Sequence, residues 1–278
     1  MADNRRMCPN CRAFITARDK VCPYCGERTG PTYVQRNPGD FALGGLIPQA
    51  HFTTVLILMI NAGFYIATEL LANKYGGGNR GQTIALWALG GKFWEAVVQE
   101  HQWWRLVTAG FLHGGLIHIL MNSWVLYDLG AQVEQVFETP RFLVIYLLST
   151  VGGFYFSLRM SHAPSIGASA GITGLIGAMI AFGVLNRSSM GTAIRNFYLR
   201  WVVYILAMGL FPGFRTDNWA HIGGLLTGFA VGYVAGMPIR STHARETFWR
   251  GAAALCVVVT AFCFFEVFRN FPSPDQLR

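Results

Sequence analysis

The chain has 278 residues, of which 53% are hydrophobic and 13% charged, with a formal net charge of +8. Soluble domains carry about 25% charged residues, so the composition argues against a soluble protein and favours a membrane protein. A basic nucleic-acid-binding protein is the alternative. It is disfavoured because the charge follows the loops between apolar segments and forms no stripe on a soluble face.

The first element along the chain is a cysteine-rich segment, CPNCRAFITARDKVCPYC, over residues 8–25. It contains two C-P-x-C pairs, and the four cysteines are Cys8, Cys11, Cys22 and Cys25. Two such pairs supply the tetrahedral thiolate set of a structural zinc site, with no open position for catalysis. A segment this short needs a metal to fold. A pair of disulfides is the alternative, which a reducing cytoplasm disfavours.

We therefore predict a cytoplasmic zinc ribbon over residues 1–30 and a Pro- and Gly-rich linker over residues 31–48. Docking of a protein partner is the function we expect of the ribbon. The linker leads into the first apolar run near residue 51, which is too late for a cleavable signal peptide and fits an uncleaved signal anchor.

Seven apolar segments of membrane-spanning length follow. They are His51–Leu71, Leu112–Leu129, Phe142–Leu158, Ser169–Leu185, Phe197–Phe211, Trp219–Gly236 and Phe248–Phe268. None alternates as a strand would. We therefore predict an all-α polytopic membrane protein embedded in the lipid bilayer.

The basic residues are distributed unequally between the two sides of the predicted bundle. With seven spans, 14 of the 22 Lys and Arg fall on the side that carries residues 1–50. The positive-inside rule then predicts a cytoplasmic N-terminus and an external C-terminus. A bacterial plasma membrane is the simplest setting.

Ionisable and polar residues inside spans are costly and usually functional. In the second span, His118 and Asn122 are four residues apart and share one helix face. A hydrogen bond between helices is the alternative role for this pair. His113 lies about a turn earlier, and we expect it at the surface.

The fourth and sixth spans carry small residues every four positions, which lets two helix backbones approach closely. The two rows are Ala170, Gly174, Ala178 and Ala220, Gly224, Gly228, Gly232, Gly236. Packing one row against the other would bring Ser169 close to His221. With the N-terminus inside, both residues and His118 fall in the outer part of their spans.

The stretch around Ser169 also reads as G-x-S-x-G, the nucleophile turn of soluble α/β-hydrolases, but that turn needs a preceding strand. We predict acyl-transfer chemistry in which Ser169 is the nucleophile and His221 the base. The N–H of Ser169, with His118 and Asn122, would stabilise an oxyanion. Asp217 could orient His221 but is expected in the outer loop, so a Ser–His dyad is the simpler prediction.

These residues resemble those of the rhomboid intramembrane serine proteases over roughly residues 50–236. The matching motifs are Trp104-Arg105, His118-x-x-x-Asn122, the LGAQVE run Leu129–Glu134, Gly167-x-Ser169 and Ala220-His221-x-x-Gly224-x-x-x-Gly228. The resemblance implies a six-helix core over residues 49–236, with Trp104-Arg105 in its membrane-embedded first loop. Residues 237–278 then form a loop and an additional C-terminal transmembrane helix.

The sequence departs from the family pattern at two positions. Ala170 follows the serine where the family often has Gly, and Thr173 replaces an aromatic residue that often packs against the histidine. We expect another ring, that of Trp219 or one from a neighbouring helix, to orient His221 instead.

The resemblance implies cleavage of single-pass membrane proteins near the outer interface, at segments with helix-destabilising residues. No cofactor or metal is needed for this cleavage. The fifth span and the loop PGFRTDN, residues 212–218, would serve as gate and cap. One alternative is a catalytically inactive rhomboid-like binding protein. A transporter or channel is a second alternative, which is less favoured because it requires polar residues along its whole conduction path.

Overall fold

The computed structural model describes residues 5–8, 13–16, 19, 21–26, 41–42, 47–48, 52–211, 216–236 and 242–273. The chain divides into two compact units, Met1–Gln49 and Ala50–Arg278. The first is small and contains short strands, whereas the described part of the second is built from helices.

The N-terminal unit contains two antiparallel strand pairs. Strand β1 (Arg5–Met7) pairs with β2 (Phe14–Thr16). Strand β3 (Phe41–Ala42) pairs with β4 (Ile47–Pro48), inside the predicted linker. Among the residues of this unit that the structure describes, Cys8, Ile15 and Cys22 are buried. Domains this small usually need disulfides, a metal or oligomerisation to be stable.

The helical unit contains nine α-helices within the described residues. They are α1 (Phe52–Lys74), α2 (Gly78–Ala88), α3 (Trp94–Val98), α4 (Arg105–Thr108), α5 (Leu116–Met160), α6 (Ser169–Leu185), α7 (Ser189–Met208), α8 (Asn218–Ala235) and α9 (His243–Arg269). Three of these, α1, α5 and α9, are long and apolar enough to cross a membrane, and α6 is a shorter apolar helix. The chain is thus a mostly helical membrane protein with several apolar helices.

Helix α5 contains most of the second and all of the third predicted span. Its 45 residues include one residue, Glu138, with a non-helical backbone (φ 64°, ψ 158°). Pro140 follows two residues later and has no N–H to donate to the preceding turn. The kink therefore separates two halves, each of which overlaps one predicted span.

Three predicted span starts differ by several residues from the helix starts of the structure, and α9 begins at His243 and not at Phe248. Helix α5 begins at Leu116, after a bend at Gly114 and Gly115, and not at Leu112. Helix α7 begins at Ser189, eight residues before the predicted Phe197. The apolar pattern missed this start because the first turns of the helix contain polar residues. The hydroxyl of Ser188 caps this start by accepting from the N–H of Gly191 at 3.1 Å.

The predicted small-residue seam between α6 and α8 is confirmed except at Gly236, which follows the end of α8 and faces Arg245. The facing pairs are Gly224 with Ala170, Gly228 with Gly174, and Gly232 with Ala178. A Cβ added at Gly232 would lie 2.7 Å from the Cα of Ala178, closer than such atoms approach. Glycine is therefore required there for backbone contact between the two helices.

A buried ion pair joins α5 to α9. Arg141 has no exposed surface, and its two terminal nitrogens donate to the Glu246 carboxylate at 3.0 and 2.5 Å. Its guanidinium also lies 5.7 Å from the centre of the Trp249 ring. A bidentate pair of this kind defines the orientation of α9 against the kink of α5.

The segment between α1 and α5 is organised around Arg105. Its guanidinium donates to the carbonyls of Trp87 at 2.8 Å and Gly91 at 3.0 Å. It also lies 5.0 Å from the ring of Trp87 and 4.8 Å from that of Trp104. Burial lowers the pKa of Arg105 to about 10, so it remains a cation at neutral pH.

Candidate active site and metal centre

Ser169 is the first residue of α6 and is half-buried. The segment that leads to it, residues 161–168 between α5 and α6, is called the strap. It turns at Gly167, whose φ of 119° is a backbone conformation that residues with a side chain disfavour. The N–H of Gly167 donates to the carbonyl of Ala109 at 2.9 Å. Helical N–H groups of the first turn lack partners within the helix, so Ser169 lies at a polar, electropositive helix end.

His221 lies one turn inside α8, is 4% exposed, and its Nε2 is 3.0 Å from Ser169 Oγ. The α6–α8 seam thus brings together two residues that are 52 positions apart. If Ser169 donates to Nε2, the ring proton must lie on Nδ1. A hydroxyl hydrogen-bonded to a histidine has the geometry of an activated nucleophile.

His118 and Asn122 lie in the first two turns of α5, beside the strap that precedes Ser169. A Cβ added at Gly167 would lie 2.8 Å from the His118 ring and 3.8 Å from Asn122 Nδ2. Asn122 is 8% exposed, and its Nδ2 donates to the His118 carbonyl at 3.0 Å. That bond uses one of its two amide hydrogens and leaves the second for another acceptor.

The environment of His221 differs from the ring contact that we expected. Trp219 is 44% exposed and pairs with Phe156, with ring centres 6.1 Å apart. A narrow cavity beside His221 is lined by Thr173, Ile176, Val202, Ile205, Leu206 and Leu225. Mainly aliphatic side chains from α6, α7 and α8 therefore line the cavity beside the imidazole.

Two further expectations concern His113 and Asp217. The expectation of a surface position for His113 is wrong: it is fully buried, and its ring centre is 5.1 Å from that of His118. The reason is that the loop before α5 is covered by its neighbours. Asp217 is the N-cap of α8, where one oxygen accepts from the N–H of Ala220 at 3.1 Å. Its other oxygen accepts from Ser157.

Lys92 and Ser157 are parts of this region that sequence reasoning missed. Lys92 is fully buried and its Nζ donates to Ser157 Oγ at 3.1 Å. Nothing in the local pattern signals the contact, because the two residues are 65 positions apart. A lysine in a Gly-Gly-Lys loop reads as an ordinary solvated residue.

In the N-terminal unit, the Sγ atoms of Cys8, Cys22 and Cys25 all lie within 4.8 Å of one another. The Cys8–Cys25 Sγ separation is 3.6 Å. Thiolates at about 2.3 Å from a tetrahedral zinc stand about 3.8 Å apart, so the cluster fits this metal. Cys11, the fourth predicted ligand, lies outside the described residues.

Comparison with known proteins gives two family matches. The rhomboid domain family matches residues 100–238, and a zinc-ribbon family matches residues 6–29. The two matches do not overlap, and each falls within one of the two units of the chain.

Individual relatives agree with these matches. RHOMBOID-like protein 6, mitochondrial, from Arabidopsis thaliana is 40% identical over 151 residues, 52% of this chain and 48% of the relative. Rhomboid protease GluP from Bacillus subtilis is 31% identical over 188 residues, 68% of this chain and 36% of the relative. Inactive RHOMBOID-like protein 8 from Arabidopsis thaliana is 35% identical over 142 residues, 50% of this chain and 40% of the relative. The matched part spans between about a third and a half of these relatives.

Proposed function

Because the chain belongs to the rhomboid family, we propose that it is an intramembrane serine endopeptidase that cleaves single-pass membrane proteins near the outer membrane interface. The observation that carries this proposal is the 3.0 Å separation between Ser169 Oγ and His221 Nε2. A serine becomes a useful nucleophile at neutral pH when a base can take its proton as it attacks.

In the proposed mechanism, Ser169 Oγ attacks the carbonyl carbon of the scissile peptide bond and His221 Nε2 takes the hydroxyl proton. His221 then gives that proton to the leaving amine, and an acyl-enzyme ester remains on Ser169. Water attacks this ester, with His221 again acting as base, and the release of the acid restores the serine. The bonds formed and broken and the protons transferred in these two steps balance, and the steps use no metal or cofactor.

The oxyanion would be stabilised by three donors next to Ser169. These are its own backbone N–H, the second amide hydrogen of Asn122 and a ring N–H of His118. The proximity of the last two to Gly167 supports this assignment. Loss of one such donor typically lowers kcat by about 10²–10³-fold.

The proposed membrane topology has seven crossings, through α1, the two halves of α5, α6, α7, α8 and α9. Six of them form the rhomboid core over residues 49–236, and α9 is the additional C-terminal helix. The excess of Lys and Arg on one side favours a cytoplasmic N-terminus and an external C-terminus. Ser169, His118 and His221 then share the outer half of the bundle.

The proposed substrates are transmembrane segments with helix-destabilising residues, because a helical peptide bond is shielded by its own turn. A groove of about 510 Å³ lies between α5, α6 and α7. The hydroxyl of Tyr198 on α7 donates across it to Gln132 Oε1 on α5 at 2.9 Å. The groove and the single-residue bridge across it support the assignment of α7 as the gate through which a substrate enters.

A catalytically inactive, client-binding rhomboid-like protein is the second function to test, since one relative carries the name inactive. The presence of both Ser169 and His221 within hydrogen-bond distance argues against it. Such a protein would retain substrate binding and lack covalent reactivity at Ser169.

The test uses the purified full chain in lipid with a fluorophosphonate probe and a panel of single-span substrates. We expect the wild type to be labelled and to cleave at least one substrate, whereas Ser169→Ala and His221→Ala do neither. Ser149→Ala, at a buried serine of α5, is the matched control and should keep both activities. Cleavage that persists in Ser169→Ala would overturn the nucleophile assignment, and binding without labelling would favour the client-binding protein.

For the N-terminal unit, we propose a structural zinc ion held by Cys8, Cys11, Cys22 and Cys25, with docking of a protein partner as its role. The zinc would supply folding energy to a unit of this small size. One zinc per wild-type chain and none in Cys8→Ser/Cys22→Ser is the expected result of metal analysis. An unchanged zinc content in the double variant would refute the ligand set.

A further inference from the structure

Lys92 lies in the loop between α2 and α3 and has no exposed surface. Its Nζ donates to Ser157 Oγ at 3.1 Å, the Ala163 carbonyl at 2.8 Å and the Ser161 carbonyl at 3.3 Å. An ammonium has three donor hydrogens, and these three acceptors match them. A buried cation is costly unless it is paired and hydrogen-bonded, so its position depends on these contacts.

The side chain of Lys92 leads to the helix that carries His221. Ser157 Oγ accepts from Lys92 and in turn donates to the carboxylate of Asp217. Asp217 is the N-cap of α8, one turn before His221. Burial lowers the pKa of Lys92, and the charge of Asp217 opposes this shift, so the ammonium and the carboxylate interact electrostatically.

The backbone of Lys92 leads to the strap that carries Ser169. Its N–H donates to the Ser165 carbonyl at 3.1 Å, and the Ser165 N–H donates back to the Lys92 carbonyl at 2.9 Å. This isolated antiparallel bridge holds the strap four residues before Ser169. The next bond of the strap, from Gly167 to Ala109, also runs to the segment between α1 and α5.

We propose that Lys92 is a positioning residue that holds Ser169 and His221 at reacting distance, an inference that rests on the function proposed above. Its backbone bridge sets the strap before the nucleophile, and its ammonium, through Ser157, sets the N-terminus of α8. One residue therefore links the strap before α6 to the N-terminus of α8. Without the ammonium, the Ser157 hydroxyl loses its orientation and the negative charge of Asp217 loses its counter-charge.

The first test measures the variants Lys92→Met and Ser157→Ala, alone and combined, for cleavage kinetics and for the rate of fluorophosphonate labelling. A misplacement of about 1 Å at a reacting pair costs up to about 10²-fold. We expect each single variant to lower kcat by about tenfold or more with little change in KM, and the combination to add nothing further. Ser157→Thr, which keeps the hydroxyl, should restore the rate.

Thr260→Val is the matched control, because the Thr260 hydroxyl donates only to its own helix at the Cys256 carbonyl in α9. It should leave the kinetics unchanged. Wild-type rates in Lys92→Met, or losses that multiply in the double variant, would overturn the inference.

The second test does not depend on activity. Hydrogen exchange in Lys92→Met and in Ser157→Ala should quicken by about tenfold in residues 163–169 and 216–222 together. Exchange that changes only around residue 92 would refute the positioning role. If the wild type neither labels nor cleaves while both segments respond, the proposed function fails and the structural link stands.

Discussion

Helices α7 and α8 have similar lengths and lie next to the same helix, α6, yet they pack in different ways. Seven residues of α8 are buried, four of them glycines on the side that meets α5 and α6. In α7 only Gly191 and Tyr198 are buried. Large side chains of α7 such as Trp201 and Tyr204 are exposed to the surroundings.

This difference assigns separate tasks to the two helices. Backbone contact leaves α8 little freedom, which suits a helix that holds His221 3.0 Å from Ser169. The groove beside α7 and its few buried residues suit an element that moves away from α5. The proposed enzyme thus keeps its reacting pair rigid while the entrance beside it opens.

The largest expected effect comes from closing the seam with a side chain. Gly228→Leu would push atoms into the backbone of Gly174, which we expect to cost about 3 kcal/mol or more and to abolish cleavage. Thermal unfolding and labelling in detergent measure this. The matched control is Gly63→Leu on α1, where a Cβ meets nothing within 4 Å. Equal stability of the two variants would show that the seam is not tightly packed.

A smaller but direct contrast is expected in hydrogen exchange. Backbone amides of α7 should exchange at least about tenfold faster than those of α6 and α8 in the wild type, because few buried contacts oppose local opening. Mass spectrometry of peptides from the three helices in lipid nanodiscs provides the measurement. Equal protection of α7 and α8 would remove the distinction between a rigid and a mobile helix.

Removal of the hydroxyl that crosses the groove should raise activity moderately. Tyr198→Phe deletes the bond to Gln132, which is worth about 1 kcal/mol. Cleavage of single-span substrates should therefore quicken by about two- to fivefold, with unchanged fluorophosphonate labelling. Tyr204→Phe on the exposed side of α7 is the control. Slower cleavage in Tyr198→Phe would mean that this bond supports the site and does not restrain the gate.

The smallest effect is expected at the position where the family pattern has an aromatic residue. The Thr173 hydroxyl donates to the carbonyls of Ser169 and Ala170 in its own helix, both at 3.0 Å. Thr173→Val should therefore change the unfolding free energy by about 1 kcal/mol or less and kcat by less than about threefold. A loss as large as that of His221→Ala would show instead that this hydroxyl orients the imidazole.

Local patterns predicted the apolar helices and the seam well, because both depend on residue types at regular spacing. The ends of helices were predicted less well. At the start of α7, residues such as Arg195 and Asn196 obscure a helix that begins at Ser189. At α5, the structure has one long helix with a kink near Pro140, where the apolar pattern predicts two separate spans.

The sequence by itself determined that this protein is helical and membrane-embedded, that it carries a cysteine cluster, and that Ser169 and His221 lie on helices able to approach closely. Only the tertiary structure decided that His113 is buried, that Asp217 caps α8, and that Lys92 reaches both segments of the site. The physical reason is the distance along the chain over which each kind of signal acts. Hydropathy, spacing and small-residue rows act along one helix, whereas a buried ammonium finds its partners on segments 65 or more positions away.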